Sequence, residues 1–357
     1  MSGAQEDAAP VSASSAPGRE AMSVWFSAAR TVELRRSVAR VPASGEVSIE
    51  ALFSAISHGT EMLVYRGEVP AELPLDLSIP TCQGGFSFPV KYGYASVGRV
   101  VEIGRDVMCL SPGDLVFAFN PHETRYTLPE SFAIKLPETT APRAGVFVAN
   151  METAVNALLD AAPRIGETVV VIGQGVVGLL IARLARKAGA GLVITADLFE
   201  KRRLLSEAFG ADLVVDPSSE DLVECVSRMT SGVGADVVIE ASGQPAALDL
   251  AINASAREGH IVVVSWYGAK RAPLSLGTDF HRKRLTLRSS QVSALDPSLE
   301  PRWSLSRRRE LAVKYLDEIP CDTLISHTIP FARAGEAYRL IDEHPEQVVQ
   351  VVLEYDR

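Results

Sequence analysis

The chain has 357 residues, of which 47% are hydrophobic and 22% are charged, and its formal net charge is −9 at pH 7. That length is enough for two domains, each with a hydrophobic core of its own. The negative charge argues against nucleic acid or an anionic membrane as the partner, because both attract basic surfaces. No apolar run approaches the length of a membrane span. We therefore expect a soluble cytoplasmic protein.

The first 20 residues are small and polar, and they are rich in Ala, Ser and Pro. They lack the basic start and the apolar stretch of a secretory signal, and this composition predicts a disordered tail over residues 1–20. No two cysteines form a CxxC pair, which argues against a disulfide framework or a cysteine-rich zinc site. The four cysteines are Cys82, Cys109, Cys225 and Cys321.

From about residue 22 to residue 150 the chain consists of short apolar segments broken by Gly and Pro, a pattern that favours a β-rich domain. VGRVVEIG (97–104) and DLVFAF (114–119) are typical strands. The PGD sequence at 112–114 predicts a turn between them.

The pattern changes at Glu167. The segment ETVVVIG (167–173) is continuously apolar, as in a strand buried on both faces, and an amphipathic helix is predicted from Gly175 to Ala188. Strands and helices then alternate, which predicts a parallel sheet with right-handed crossovers. The further predicted strands are 192–197, 212–216, 235–242, 260–265 and 284–290.

After about residue 291 the alternation ends. The sequence therefore predicts an α/β fold in which a doubly wound parallel sheet over 158–291 is inserted into a β-rich domain. That second domain would be built from 21–157 and 292–357.

Gly173-Gln174-Gly175-Val176-Val177-Gly178 is a GxGxxG motif between a buried strand and a helix. Its glycines permit a tight turn, close approach of a pyrophosphate to the backbone, and close packing of helix on strand. The helix N-terminus would bind the phosphates. The structural alternative is a glycine-rich turn that binds no ligand.

Asp197 ends the next predicted strand, nineteen residues after Gly178. Its carboxylate can accept hydrogen bonds from both ribose hydroxyls and would repel a 2′-phosphate, which favours NAD over NADP. Arg202 and Arg203 lie close enough in sequence to keep NADP open.

These segments, in this order, resemble the medium-chain dehydrogenase/reductase superfamily, the group of the alcohol dehydrogenases and quinone reductases. The matching pieces are SHGTE…YRG, KYGYASVGRVVEIG, SPGDLVFAF, TVVVIGQGVVGLLIARLARKAGA, GADVVIEASG and DTLISHTIPFARAGEAYRLID. The resemblance implies a GroES-like catalytic domain, an inserted Rossmann domain, and hydride transfer in the cleft between them. It also implies cofactor contacts at Ser242, Gly243 and Ser265, and a homodimer formed by strands around 272–290.

In zinc-dependent members of this superfamily, the first ligand motif is similar to C-G-T/S-D and the second is similar to G-H-E. Here these motifs read His58-Gly59-Thr60-Glu61 and Gly93-Tyr94-Ala95, and the third ligand position falls near Ala149 or Glu152. The cysteine lobe of a structural zinc is also missing, since no cysteine occurs between residues 120 and 137. A tetrahedral zinc needs three or four N, S or O ligands, so we expect no zinc. The short motifs SxGTE…YxG and GYxSVG resemble a zinc-less branch that includes bacteriochlorophyllide hydroxyethyl dehydrogenases. This resemblance does not identify a substrate.

Without a metal, other groups must take the proton of an alcohol or stabilise its oxyanion. Thr60 matches the position at which the family's proton relay begins, and Tyr94 offers a phenol in the vacated ligand position. His58 would titrate near neutrality, and Glu61 could orient either neighbour. The structural alternatives are a turn histidine, a capping hydroxyl and a packed aromatic ring.

Three further residues are candidates for substrate binding. His122 precedes an aromatic strand and is expected to face the cleft. Arg302 and Trp303 could bind a carboxylate or phosphate by pairing and stacking. The alternative for the basic segment around them is a solvated run of charge.

The sequence thus favours a zinc-independent, NAD(P)(H)-dependent oxidoreductase acting on an alcohol or carbonyl. One alternative is a quinone or enoyl reductase that reduces C=C bonds with NADPH. Another is a non-catalytic nucleotide-binding sensor or scaffold.

Overall fold

The computed structural model describes residues 18–75 and 84–356. Of the predicted N-terminal tail, residues 1–17 lie outside this description, as does Cys82. Arg19 and Glu20 do not belong to a tail, because they form the start of the first strand and pair with Ala39 and Val38.

The described residues form three sheets. The strands are β1 (Arg19–Ala28), β2 (Thr31–Ala39), β3 (Glu46–Ala55), β4 (Ser96–Ile103), β5 (Leu115–Ala118), β6 (Arg125–Pro129), β7 (Ala133–Lys135), β8 (Thr168–Ile172), β9 (Leu192–Ala196), β10 (Leu213–Val215), β11 (Ala235–Glu240), β12 (Ser255–Val263), β13 (Thr286–Ser289), β14 (Ile325–Pro330) and β15 (Gln350–Glu354). The α-helices are α1 (Thr60–Arg66), α2 (Pro142–Gly145), α3 (Val148–Ala161), α4 (Val176–Ala188), α5 (Glu200–Ala208), α6 (Leu222–Met229), α7 (Ala247–Ala254), α8 (Leu305–Glu318) and α9 (Ala334–Glu343).

The catalytic-domain sheet joins the two ends of the chain. Its strand order is β14-β15-β3-β4-β5-β7, and β6 pairs with residues 46–50 of β3, a stretch that β15 does not reach. The C-terminal strand β15 runs antiparallel to β3, so the chain returns to its first domain after the inserted one. The strands predicted at 97–104 and 114–119 correspond to β4 and β5.

The inserted domain is a six-stranded parallel sheet of order β10-β9-β8-β11-β12-β13. Four of the five residues of β8 are buried, as expected for a strand covered on both faces. The order reverses at β8, so the loop between β8 and α4 lies at the topological switch point where such sheets bind dinucleotides. The predicted α/β fold is confirmed.

Helix α3 is shared by the two domains. It packs against α4 of the inserted domain and against α8 of the C-terminal segment. The predicted boundary between residues 157 and 158 falls inside this helix. A buried cluster that includes Phe147, Leu179 and Leu316 fills the space around it.

Within residues 18–75 and 84–356, no helix combines the length and the apolar composition that crossing a bilayer requires.

Candidate active site

The three glycines of the motif occupy positions that fit the three roles expected of them. Gly173 has φ +94°, and a Cβ there would lie 2.5 Å from the Cα atom of Ser242. A Cβ on Gly178 would lie 1.8 Å from the carbonyl oxygen of Gly173, so only glycine allows α4 to approach β8 this closely. Gly175 has open space where its side chain would be. A pyrophosphate would need that space.

Buried hydrogen bonds fix the loop that these glycines form. The backbone N–H of Gln174 donates to Asp197 Oδ2 at 2.6 Å, and the Gln174 side chain is fully buried. It donates to the carbonyls of Val171 and Gly173 and accepts from Ser206. Gln174 is thus a buried support of the loop. The residues that follow Gly175, Val176 and Val177, form the first turn of α4.

Asp197 follows the last residue of β9 and is only 7% exposed. Its two carboxylate oxygens accept from the N–H groups of Gln174 and Phe199, at 2.6 and 2.8 Å. A carboxylate offers about four lone-pair sites, which leaves acceptor capacity for ribose hydroxyls. The position and the chemistry fit the expected ribose contact.

Most donors of Arg202 are used by the C-terminal segment, contrary to the prediction that it binds the cofactor. It donates to the carbonyl oxygens of Pro345 and Val348, at 3.2 to 3.4 Å, in the C-terminal segment. Its nearest approach to Asp197 is 3.9 Å, and burial lowers the pKa of the guanidinium. Arg202 therefore ties the inserted domain to the catalytic domain, because carbonyls of that domain satisfy most of its donors.

Ser242, Gly243 and Ser265 meet at the carboxyl ends of β11 and β12. The N–H of Gly243 donates to Ser265 Oγ at 2.8 Å. Both the N–H and the hydroxyl of Ser242 donate to the buried carboxylate of Glu240. Tyr267 also donates to Glu240, at 2.6 Å, and burial together with this negative charge raises the pKa of its phenol. Glu240 and Tyr267 were missed from sequence, because nothing in the motif marks them.

The segment after β12 reaches the catalytic domain. The N–H of Ala269 donates to the carbonyl of Glu68, just after α1, at 2.9 Å. The ring of Trp266 lies 5.8 Å from that of Phe86. This contact brings the carboxyl end of the parallel sheet beside α1 and the segment that carries Tyr94.

The turn before α1 holds a pair of hydroxyls. Tyr94 is half-buried and donates from its phenol to Ser57 Oγ at 2.5 Å. The structure thus brings Tyr94 to the turn that contains His58 and Thr60. Ser57 was missed from sequence, although it directly precedes the HGTE motif. The sequence alone does not show that this serine pairs with Tyr94, 37 residues later.

Thr60 and His58 flank this pair. Thr60 is the first residue of α1 and is half-buried. His58 Nε2 accepts from the N–H of Val351 at 3.3 Å. Burial, with the charges of Arg202 and Arg66, lowers the pKa of His58 to about 3. The expectation that His58 titrates near neutrality is wrong, because its ring is desolvated and faces cations.

Glu61 and His122 lie beneath the turn, not in the cleft. Both are 0% exposed, and they hydrogen-bond to each other through His122 Nε2 and Glu61 Oε2 at 2.8 Å. The other oxygen of Glu61 accepts from the N–H of Ser57 at 2.9 Å. The prediction that His122 faces the substrate is wrong. Glu61 is buried beneath the turn and binds the backbone N–H of Ser57.

Comparison with known proteins places this geometry in a family. The sequence model of a family described as zinc-binding dehydrogenase matches residues 176–305. D-guloside 3-dehydrogenase of Escherichia coli K12 is 29% identical over 332 residues, which cover 86% of this chain and 92% of that protein. A short chain alcohol dehydrogenase of Escherichia coli CFT073, solved with NADH, superposes with a TM-score of 0.77 at 20% identity, over 94% of this chain and 100% of the other. A dehydrogenase of Sinorhizobium meliloti 1021 bound to NADP superposes with a TM-score of 0.74 at 22% identity, over 94% of this chain and 99% of the other.

These matches support a place for the chain in the medium-chain dehydrogenase/reductase superfamily. The chain is an NAD(P)-dependent dehydrogenase or reductase, and the alternative of a non-catalytic sensor is not retained. The matched stretch 176–305 contains none of the three positions that hold zinc ligands in zinc-dependent superfamily members.

Ala149 and Glu152 are the two candidates for the third of those positions, and Glu152 already has partners. Glu152 is 2% exposed and forms ion pairs with Arg308 and Arg309, at 3.3 and 3.5 Å. Its negative charge is therefore neutralised by side chains. Among the residues that the structure describes, no group of three or more His, Cys, Asp or Glu side chains is arranged to hold a metal ion.

Arg302 and Trp303 do not form the predicted substrate clamp. The guanidinium of Arg307 lies 4.4 Å from the centre of the Trp303 ring and donates to the backbone carbonyl of Arg302. Arg302 itself is exposed to solvent. The start of α8 therefore resembles the solvated basic segment that was the alternative interpretation.

Proposed function

We propose that this protein is an NAD-dependent dehydrogenase that interconverts an alcohol and a carbonyl without zinc. The observation that carries the proposal is the hydrogen bond from Tyr94 to Ser57, 2.5 Å long, at the position where zinc-dependent relatives have a metal ligand. A pair of hydroxyls can hold a reacting oxygen by hydrogen bonds.

Oxidation of an alcohol releases a hydride and a proton, and NAD would supply the hydride acceptor. The residues that would hold it are the loop from Gly173 to Gly178 with Asp197. With substrate bound, Tyr94 would turn its hydroxyl hydrogen from Ser57 to the substrate oxygen. Ser57 and Thr60 would donate to the same oxygen, and together these hydroxyls would stabilise the negative charge that develops on it. Thr60 would pass the hydroxyl proton towards solvent, since it follows Gly59, the exposed residue of this turn. His58 is neutral near pH 7, because burial and nearby cations lower its pKa to about 3, and we assign the proton transfer to Thr60 instead.

The preference for NAD over NADP rests on two features of the ribose site. The carboxylate of Asp197 would repel a 2′-phosphate. The nearby cations are engaged elsewhere: Arg202 donates to carbonyls of the C-terminal segment, and Arg203 donates to the carbonyls of Asp197 and Leu198.

For the substrate we propose a secondary alcohol on a sugar or glycoside. Support comes from the relative named D-guloside 3-dehydrogenase, which the chain matches over 86% of its length. The hydroxyl-rich turn would hold such a neutral substrate by hydrogen bonds. The test is reduction of NAD, followed at 340 nm, with a panel of methyl glycosides, open-chain polyols and simple secondary alcohols.

The test of zinc independence is metal analysis of the purified protein. We expect far less than one zinc per chain, and activity that survives dialysis against a chelator. Stoichiometric zinc that is removed together with activity would overturn the proposal.

A further inference from the structure

A chain of buried hydrogen bonds runs beneath the Tyr94–Ser57 pair, and the reaction proposed above does not use it. Its five side chains are at most 5% exposed. Tyr355 pairs with Ser54 at 2.8 Å, and Ser54 with His122 Nδ1 at 2.7 Å. His122 Nε2 then meets Glu61 Oε2 at 2.8 Å, and Tyr338 donates to the same oxygen at 2.7 Å.

The donors and acceptors of this chain are all matched when the imidazole is neutral. An ionised Glu61 only accepts, so His122 Nε2 carries the hydrogen and donates to it. His122 Nδ1 then accepts from Ser54, which accepts from Tyr355. Tyr338 keeps its proton, because burial and the charge of Glu61 raise its pKa well above 10. With three donors, the buried carboxylate is satisfied without a cation.

Two contacts lead from this chain to the site. Glu61 Oε1 accepts from the N–H of Ser57 at 2.9 Å. The His122 ring lies directly under Gly93, where an added Cβ would be 2.9 Å from its Cδ2 atom. Ser57 and Gly93 belong to the two backbone segments that carry the paired hydroxyls, since Gly93 precedes Tyr94.

We infer that Glu61 and His122 are positioning residues that set the distance between the hydroxyls of Tyr94 and Ser57. This inference rests on the proposed role of those hydroxyls. Glu61 fixes the backbone of Ser57, and His122 supports the backbone before Tyr94. Their action is orientation and not proton transfer, because Glu61 reaches Ser57 through a backbone N–H, which does not relay protons.

Two substitutions separate position from charge. Glu61→Gln keeps the side-chain length and the oxygen that accepts from Ser57, but it removes the charge. Its amide can donate to His122 Nε2 if the imidazole changes tautomer. Glu61→Asp keeps the charge and withdraws the acceptor by one methylene. The matched control is Tyr338→Phe, which removes another hydrogen bond of the same carboxylate without touching residue 57 or 93.

We expect Glu61→Asp to lower kcat about ten- to a hundredfold, since misplacement of catalytic groups by about 1 Å can cost a hundredfold in rate. Glu61→Gln should keep most of the activity, and KM for NAD should stay nearly constant in both. Tyr338→Phe should lower Tm but leave kcat within about twofold. The assay uses whichever methyl glycoside, polyol or secondary alcohol is oxidised fastest. Crystal structures of the two Glu61 variants give a readout that needs no substrate: the distance from Tyr94 Oη to Ser57 Oγ should be kept in Glu61→Gln and lengthened in Glu61→Asp.

The inference is overturned if Glu61→Asp retains kcat, if Glu61→Gln is the more damaged variant, or if kcat follows Tm in all three variants. Tyr94→Phe, measured beside them, separates this outcome from failure of the proposed function. If Tyr94→Phe leaves turnover unchanged, the hydroxyl pair itself is not catalytic. If Tyr94→Phe is damaging and Glu61→Asp is silent, only the positioning role fails.

Discussion

The phenol of Tyr94 and the hydroxyl of Ser57 lie 2.5 Å apart at the start of α1. They come from segments 37 residues apart, one before α1 and one before β4. Both side chains are half-buried, and the bond holds their two oxygens together. The first prediction tests whether the reacting oxygen is held there.

Tyr94→Phe deletes only the hydroxyl and keeps the ring. Turnover should fall about a hundred- to a thousandfold, as on removal of one donor to an oxyanion, with little change in NADH affinity measured by fluorescence titration. Tyr126→Phe is the control, because Tyr126 is a buried phenol that donates to Ser96 at 3.0 Å. The control should lose stability and keep its turnover number. Equal turnover in wild type and Tyr94→Phe would make Tyr94 a packing residue.

Asp197→Ser should narrow the preference for NADH over NADPH. The substitution weakens hydrogen bonding to the ribose and removes the repulsion of a 2′-phosphate. Fluorescence titration of both cofactors gives the ratio of the two Kd values. Tighter binding of NADPH than NADH by the unmodified protein would contradict the proposed NAD preference.

Gly175→Ala and Gly178→Ala should separate cofactor binding from folding. A Cβ on Gly175 enters open space, so that variant should keep its Tm. It should bind NADH about ten- to a hundredfold more weakly, which corresponds to loss of one hydrogen bond to a charged group. A Cβ on Gly178 meets the carbonyl of Gly173 at 1.8 Å, and overpacking of this kind costs about 1–3 kcal/mol. Similar Tm losses in both variants would argue against a pyrophosphate site at Gly175.

His58 should make the protein less stable as pH falls. Its pKa of about 3 lies below the ordinary value of 6.5, so the folded state binds the proton less readily than the unfolded state does. The stability that depends on neutral His58 is complete above pH 6.5 and is lost progressively between pH 6.5 and 3. His58→Gln should flatten the free energy of unfolding across that window. A change in the pH profile of kcat near pH 7 would restore His58 as a proton-transfer group.

We also propose a homodimer formed along β13. This strand lies at the edge of the six-stranded sheet, and within residues 18–75 and 84–356 it pairs with β12 alone. An open edge can pair with a second copy. Light scattering should give twice the mass of the chain over a range of concentrations. A monomer at every concentration would rule the dimer out.

The inserted domain could be predicted from sequence because its information is local. The apolar run at β8, the glycines after it and Asp197 at the end of the next strand follow one another along the chain, and each has one physical reason. The helix predicted from residue 175 to 188 begins at Val176 and ends at Ala188. For β8 and for α4, the pattern of apolar residues within the element was enough to predict it.

The catalytic turn could be predicted only in part, because its properties depend on residues distant in sequence. The sequence around His58 does not indicate that the ring is buried or that Arg202, 144 positions later in the chain, lies near it. His122 reads as a polar residue before a strand, yet Ser54 and Glu61 engage both of its ring nitrogens. Arg202 suggested a phosphate ligand, but carbonyls near the C-terminus satisfy it.

The bonds from Arg202 to the carbonyls of Pro345 and Val348 limit how this enzyme can be recombined with its relatives. A chimera that takes only the segment 158–291 from another superfamily member keeps the recipient's C-terminal segment. Unless the donor has an arginine at the matching position, the carbonyls at the domain junction lose their donors, and the transplanted domain has no anchor beside its ribose site. Changing cofactor use by exchanging whole domains would therefore require residues 345–348 to move with the sheet. Point substitution at Asp197 leaves that junction intact.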